Sequence, residues 1–144
     1  MWTTIAAVKS ALHKKIRDLE LPDVQVLYGD RVDRKRASVW LGATELSDSE
    51  PTAFRGGARV RRNEDYIVHV HAEVLGNDVE RTERRCIEIV GRIEEALAAD
   101  PTLGHAVPGV KSVTMSSLRL NTNETDTGPI AHAELGLRVK ASLA

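Results

Sequence analysis

The clearest pattern in the chain lies near its C-terminal end. Over residues 130–143, Ala131, Ala133, Leu135, Leu137, Val139 and Ala141 fall on one side, and His132, Glu134, Arg138 and Lys140 on the other. That two-residue period predicts a strand with one buried face. A second run repeats it: Tyr66, Val68, Val70, Ala72 and Val74 alternate with Ile67, His69, His71 and Glu73. Gly76-Asn77-Asp78 breaks this strand and places Asn77 or Asp78 to cap a helix. In that helix Val79, Cys86, Val90, Ile93 and Leu97 make an apolar stripe, broadened by Ile87 and Ile89, until Pro101 and Gly104 stop it.

Weaker patterns fill in the rest. A first helix starts at Thr3 or Thr4 and runs to about Leu19, with Ile5, Val8, Leu12, Ile16 and Leu19 on one face. A short strand over residues 24–28 ends at Gly29-Asp30, and a polar turn over 31–36 carries four basic residues. The next strand covers residues 37–46, with Val39, Leu41 and Ala43 on one face and Trp40 on the other. Residues 47–63 hold Ser-Asp-Ser-Glu-Pro, Gly56-Gly57 and several arginines around a single large apolar side chain, Phe54. Such a segment cannot bury enough surface to order itself, so it reads as a long loop between the second and third strands, an extended hairpin being one form open to it. Residues 110–120 read as a strand and residues 121–128 as a polar turn. The predicted order is αβββαββ, an α+β domain over residues 1–144, with two helices on one face of a mainly antiparallel sheet.

Composition narrows the function classes. Aromatics are 3% of the 144 residues, so aliphatic side chains must supply the core. Charged residues are 28%, both signs are interspersed, and the net charge is −1, which favours neither a nucleic-acid nor a membrane partner. One cysteine, Cys86, excludes an intramolecular disulfide and a cysteine-based zinc cluster. No apolar run approaches the roughly 18 residues of a spanning helix. Lys9, Lys14 and Lys15 interrupt any secretory pattern at the N-terminus. The expectation is a soluble protein made and used in the cytoplasm.

Candidate chemistry is sparse. His69-x-His71-x-Glu73, with His132 and Glu134 on a possible neighbouring strand, would put two imidazoles on one face as metal ligands require. The plainer alternative is an outward polar face on a wetted antiparallel sheet. No nucleophile, base and orienter fall together, with Cys86 on a buried stripe, His13 on an exposed helix face and His105 beyond a helix. The expectation is therefore no enzyme, no cofactor and no bound metal. Basic clusters at Arg31, Arg34, Lys35, Arg36 and at Arg55, Arg59, Arg61, Arg62 lack the aromatics that stack bases, with Asp30, Asp33, Glu64 and Asp65 as nearby counter-charges. The Arg/Glu mixture on the second helix suits solvent or a subunit contact.

Across nearly its whole length the chain resembles the tail-terminator (tail-completion) proteins of long-tailed bacteriophages. An amphipathic helix leads to a strand ending Tyr28-Gly29-Asp30. A polar, Arg-rich loop then precedes Tyr-Ile-Val-His-Val-His-Ala-Glu-Val (residues 66–74), and a Glu/Arg-rich helix closes in Asp100-Pro101-Thr102-Leu103-Gly104 before a C-terminal β-hairpin. The resemblance implies a structural virion protein assembled in the host bacterial cytoplasm. It would form a ring, typically a hexamer, on the last ring of the tail tube, end polymerisation there, and present the head–tail joining surface. Its partners would be the tail-tube protein and the connector or neck proteins, with DNA passing without specific binding. The loop, with Phe54, Arg55, Arg59, Arg61 and Arg62, is then a candidate arm for a neighbouring subunit. His69, His71, Glu73, His132 and Glu134 are candidates for a wet channel wall. Other neck or tail components, or a metal enzyme on the His69/His71 face, are the alternatives.

Overall fold

The computed structural model describes residues 3–29, 36–51 and 62–143, and side chains over the same ranges except 47–51. Helix α1 (Ile5–Asp18) leads to a short strand β1 (Gln25–Leu27), the long strands β2 (Ala37–Pro51) and β3 (Arg62–Leu75), helix α2 (Val79–Ala99), and the closing hairpin β4 (Val110–Thr125) and β5 (Gly128–Leu143). The five strands lie in the order β1-β2-β3-β5-β4. Among the described residues only the β1–β2 pair is parallel. The α+β layout with order αβββαββ is the one the sequence pattern predicts.

One core joins both helices to one sheet face. Val8, Leu12 and Ile16 of α1 and Cys86, Ile89, Val90, Ile93 and Leu97 of α2 pack on Tyr66, Val68, Val70, Ala72 and Val74 and on the alternating residues from Ala131 to Ala141. Each fully buried aliphatic side chain contributes about 1.5–3 kcal/mol. Asp78 caps α2, its carboxylate accepting from the Arg81 N–H at 3.0 Å.

Several expectations needed correction. Residues 47–51 and 62–63 are strand, not loop: Pro51 pairs with Arg62 and Asn63 with Glu50, so β2 and β3 form an extended hairpin whose tip alone, residues 52–61, lies outside the described residues. Ala43 does not share the buried face of Val39 and Leu41. A bulge between Leu41 and Thr44 shifts the register, so that Thr44 opposes Val68. The polar stretch 121–125 continues β4, pairing as far as Thr125 with Gly128, and only Asp126 and Thr127 turn the chain. On α2, Val79 and Ile87 are exposed and Thr82 takes a buried place.

Candidate functional site

All five candidate channel residues fall on the sheet face opposite the helices, and two strands bring them together. Glu73 opposes His132, His71 opposes Glu134, and His69 opposes Gly136 across β3 and β5. Trp40 opposes His71 across β2 and β3. The result is a compact aromatic and polar cluster in the middle of the face, with the five residues half-buried and Trp40 buried.

The two central imidazoles share a hydrogen bond. His71 Nδ1 and His132 Nε2 are 2.9 Å apart, the ring centroids are 5.1 Å apart, and the planes differ by 11°. Rings that are almost parallel and this close through their nitrogens lie edge to edge. Trp40 covers the pair, its centroid 5.2 Å from His71 and 6.0 Å from His132, at interplanar angles of 12° and 21°. One of the two nitrogens must carry the proton and the other accept it, and a second proton there would turn the acceptor into a donor. Gly42 makes room for this: a Cβ on it would stand 2.6 Å from His71 Nε2.

Charged groups surround the cluster. His69 Nδ1 lies 3.0 Å from Glu134 Oε1, within ion-pair reach but not aligned as a hydrogen bond, and His69 Nε2 lies 3.8 Å from Glu45. Further along the face, Arg138 forks onto Asp65 through Nε at 2.9 Å and Nη2 at 2.6 Å. That guanidinium holds the Asp65 carboxyl below the usual carboxylate range.

His71 turns to His132 rather than converging with His69 and Glu73. Among the described residues no group of three or more His, Cys, Asp or Glu side chains is placed to hold a metal ion. Cys86 sits on the helix side of the sheet, its Sγ directed at the Ala72 carbonyl 3.6 Å away, and burial pushes its thiol up to about 11. The sheet separates it from all three face histidines. His13 packs its edge on Tyr28 and reaches the Val26 carbonyl.

The loop candidates divide. Phe54, Arg55, Arg59 and Arg61 lie outside the described residues, whereas Arg62 is the first residue of β3 and pairs with both Pro51 and Leu143. Glu64 is not a surface counter-charge for them. It is 2% exposed and accepts from the Thr4 N–H at 2.9 Å and the Thr4 hydroxyl at 2.8 Å, while the Tyr66 hydroxyl meets the same Thr4 hydroxyl at 2.8 Å. Pattern reading missed this anchor of α1. A glutamate two positions before the buried series begins was its only trace.

No protein-family model and no curated protein matches the sequence. Solved structures do. A chain described as "Virion of native gene transfer agent (GTA) particle" superposes with a TM-score of 0.61 at 9% identity, over 99% of this chain and 99% of that one. The likeness is one of fold. It extends over nearly the full length of both chains.

Proposed function

We propose that the protein is a structural component of a phage-like virion, and within that class a tail terminator: a hexameric ring that caps the tail tube, stops its polymerisation and forms the surface to which the head joins. The observation that carries this reading is the end-to-end fold match to a chain of a gene transfer agent virion. The extended β2–β3 hairpin supports it, because a closed ring needs a patch that reaches a different patch on the neighbour. Phe54, Arg55, Arg59, Arg61 and Arg62 are the arm residues in this reading.

The face carrying His69, His71, Glu73, His132 and Glu134 is proposed as the channel wall. A wall of imidazoles and carboxylates stays wet without presenting a cationic surface that would grip DNA phosphates. The tail-tube protein and neck proteins are the proposed partners.

Mass by light scattering across a concentration series, followed by negative-stain imaging, tests the ring. Annular particles are the expected result, with loss of assembly when residues 50–62 are deleted. Mixing with tail tubes separates the terminator from an adaptor or a tube subunit. A terminator decorates one tube end and halts growth, whereas copolymerisation along the tube would reject that role.

A further inference from the structure

Helix α2 sorts its charges by side. Towards α1, Arg85 and Arg92 donate to the carbonyls of Pro22 and Leu19. Towards β4 stand Glu83, Ile87 and Glu94, which the roughly 100° turn per residue brings onto one flank. Two contacts fix how this flank runs along β4. Glu83 accepts from the Thr122 hydroxyl at 3.1 Å. At the other end Glu94, Leu97 and Ala98 share a cleft of about 360 Å³ with Val113 and Met115.

Between those contacts lies a groove with apolar walls. Leu118 pairs with Leu135 and Leu120 with Ala133, so both face the helix side. Nevertheless Leu118 is 47% exposed, and Ile87 on the facing flank is 48% exposed. The seam between α2 and β4 is thus a groove with an exposed apolar side chain on either side, edged by two carboxylates.

We propose that this groove receives the β2–β3 hairpin tip, residues 52–61, of a second copy of the chain; this rests on the reading of the hairpin as an inter-subunit arm. The tip sequence, Thr-Ala-Phe-Arg-Gly-Gly-Ala-Arg-Val-Arg, has three arginines, no acidic residue, and Phe54 and Val60 as apolar side chains. It complements the groove in both charge and apolar character. Direction favours a neighbour's groove over the chain's own. The last described hairpin pair is Pro51 with Arg62, and Arg62 also pairs with Leu143 at the end of β5, so β2 and β3 both reach the end of the sheet there. The chain's own groove lies on the far side of β5 from that hairpin, at about 5 Å per strand, and on the helix side of the sheet. A tip-to-groove contact joins unlike patches and propagates from copy to copy.

Disulfide trapping in the full-length chain tests this, with Cys86 retained because it is buried. A Phe54→Cys copy is mixed with a Leu118→Cys copy and oxidised with copper–phenanthroline, and the products are mapped by mass spectrometry. The expected product is a 54–118 cross-link between copies, formed at least fivefold more slowly when Glu83→Arg and Glu94→Arg are added to the groove copy. Circular dichroism and cooperative unfolding show that each variant is folded. Absence of the 54–118 product overturns the groove assignment. With both cysteines in one chain, a cross-link that stays within that chain overturns the second copy as occupant. Light scattering separates this result from the ring itself: rings indifferent to Glu83→Arg and Glu94→Arg would reject the groove and keep the ring. A trapped 54–118 pair in a protein that never closes into rings would do the reverse.

Discussion

The Lys15 ammonium lies 2.8 Å from the Asp100 carboxylate, joining residues 85 positions apart in the chain. Asp100 also accepts from the Gly104 N–H at 2.8 Å, and the Pro101 carbonyl accepts from the Val113 N–H at 2.7 Å. The phrase Asp100-Pro101-Thr102-Leu103-Gly104 is therefore more than a helix stop. It ties α1 to the end of α2 and α2 to the start of β4. Gly104 sits at φ 65°, the left-handed region where glycine carries no Cβ penalty.

Acid should weaken the fold through two carboxylates. Hydrogen bonding from Lys15 lowers the Asp100 pKa, and hydrogen bonding from Arg138 lowers that of Asp65, each from a reference of 3.8. A carboxyl with a depressed folded pKa stabilises fully above its unfolded value and loses that contribution as pH falls through the folded one. Urea midpoints should thus lose these contributions only below about pH 4. The Asp65→Asn/Asp100→Asn double variant should show a shallower acid decline than the parent. Identical declines would remove both pairs from the account.

Glu64→Ala should cost about 1–3 kcal/mol, because it leaves the buried Thr4 N–H and hydroxyl without their acceptor. Urea unfolding measures the loss, and amide exchange should quicken first in the opening turn of α1. Tyr66→Phe, which removes one hydroxyl from the same network, should cost less, about 0.5–1.5 kcal/mol. Burial pushes the Tyr66 phenol up to about 12. Its folded pKa is thus above the unfolded one, so this stabilisation holds below about pH 10 and fades as pH rises towards 12.

Cys86 should resist thiol reagents in the native protein. It is 0% exposed, and burial raises its pKa to about 11. Reaction with a chromogenic disulfide at pH 8 should be slower than in denaturant by on the order of 100-fold. Comparable rates would show that α2 opens freely from the sheet.

Gly42→Ala should disturb the histidine pair specifically. The added methyl meets His71 Nε2, the far end of a side chain that can rotate away, so the backbone need not move. Loss of the His71–His132 hydrogen bond should cost about 1 kcal/mol. The imidazole nitrogen resonances of both histidines should shift. Unchanged resonances in the variant would mean that the rings are not held by Gly42.

The sequence was most legible where one face of a strand is buried along its length. For Tyr66 to Val74 and Ala131 to Ala141, every residue assigned inward is buried, since a one-residue slip would turn the whole apolar set to solvent. The α1 stripe through Val8, Leu12 and Ile16 was equally plain. Reading failed where composition and pairing disagree. Asn-Thr-Asn-Glu-Thr looks like a turn, yet it is strand because β5 supplies the partners for its backbone. Ala43 was misplaced because a bulge is a property of two strands, not of one.

The candidate site was legible only as a list of outward residues. The alternation put His69, His71, Glu73, His132 and Glu134 on polar faces, but nothing local told which strands would be neighbours. The hydrogen bond between His71 and His132, the indole of Trp40 across both, and the carboxylate of Glu64 at Thr4 depend on register between distant segments.

What the sequence by itself determined, then, is the elements and their faces, because two-residue and 3.6-residue periods are written into each segment separately. Tertiary structure alone decided the strand order β1-β2-β3-β5-β4, the length of the hairpin and the incomplete cover of the seam between α2 and β4. Those follow from pairing and packing between segments far apart in the chain. The exposure of Ile87 and Leu118 is their consequence: each belongs to an apolar pattern, and only the position of the neighbouring element leaves it uncovered.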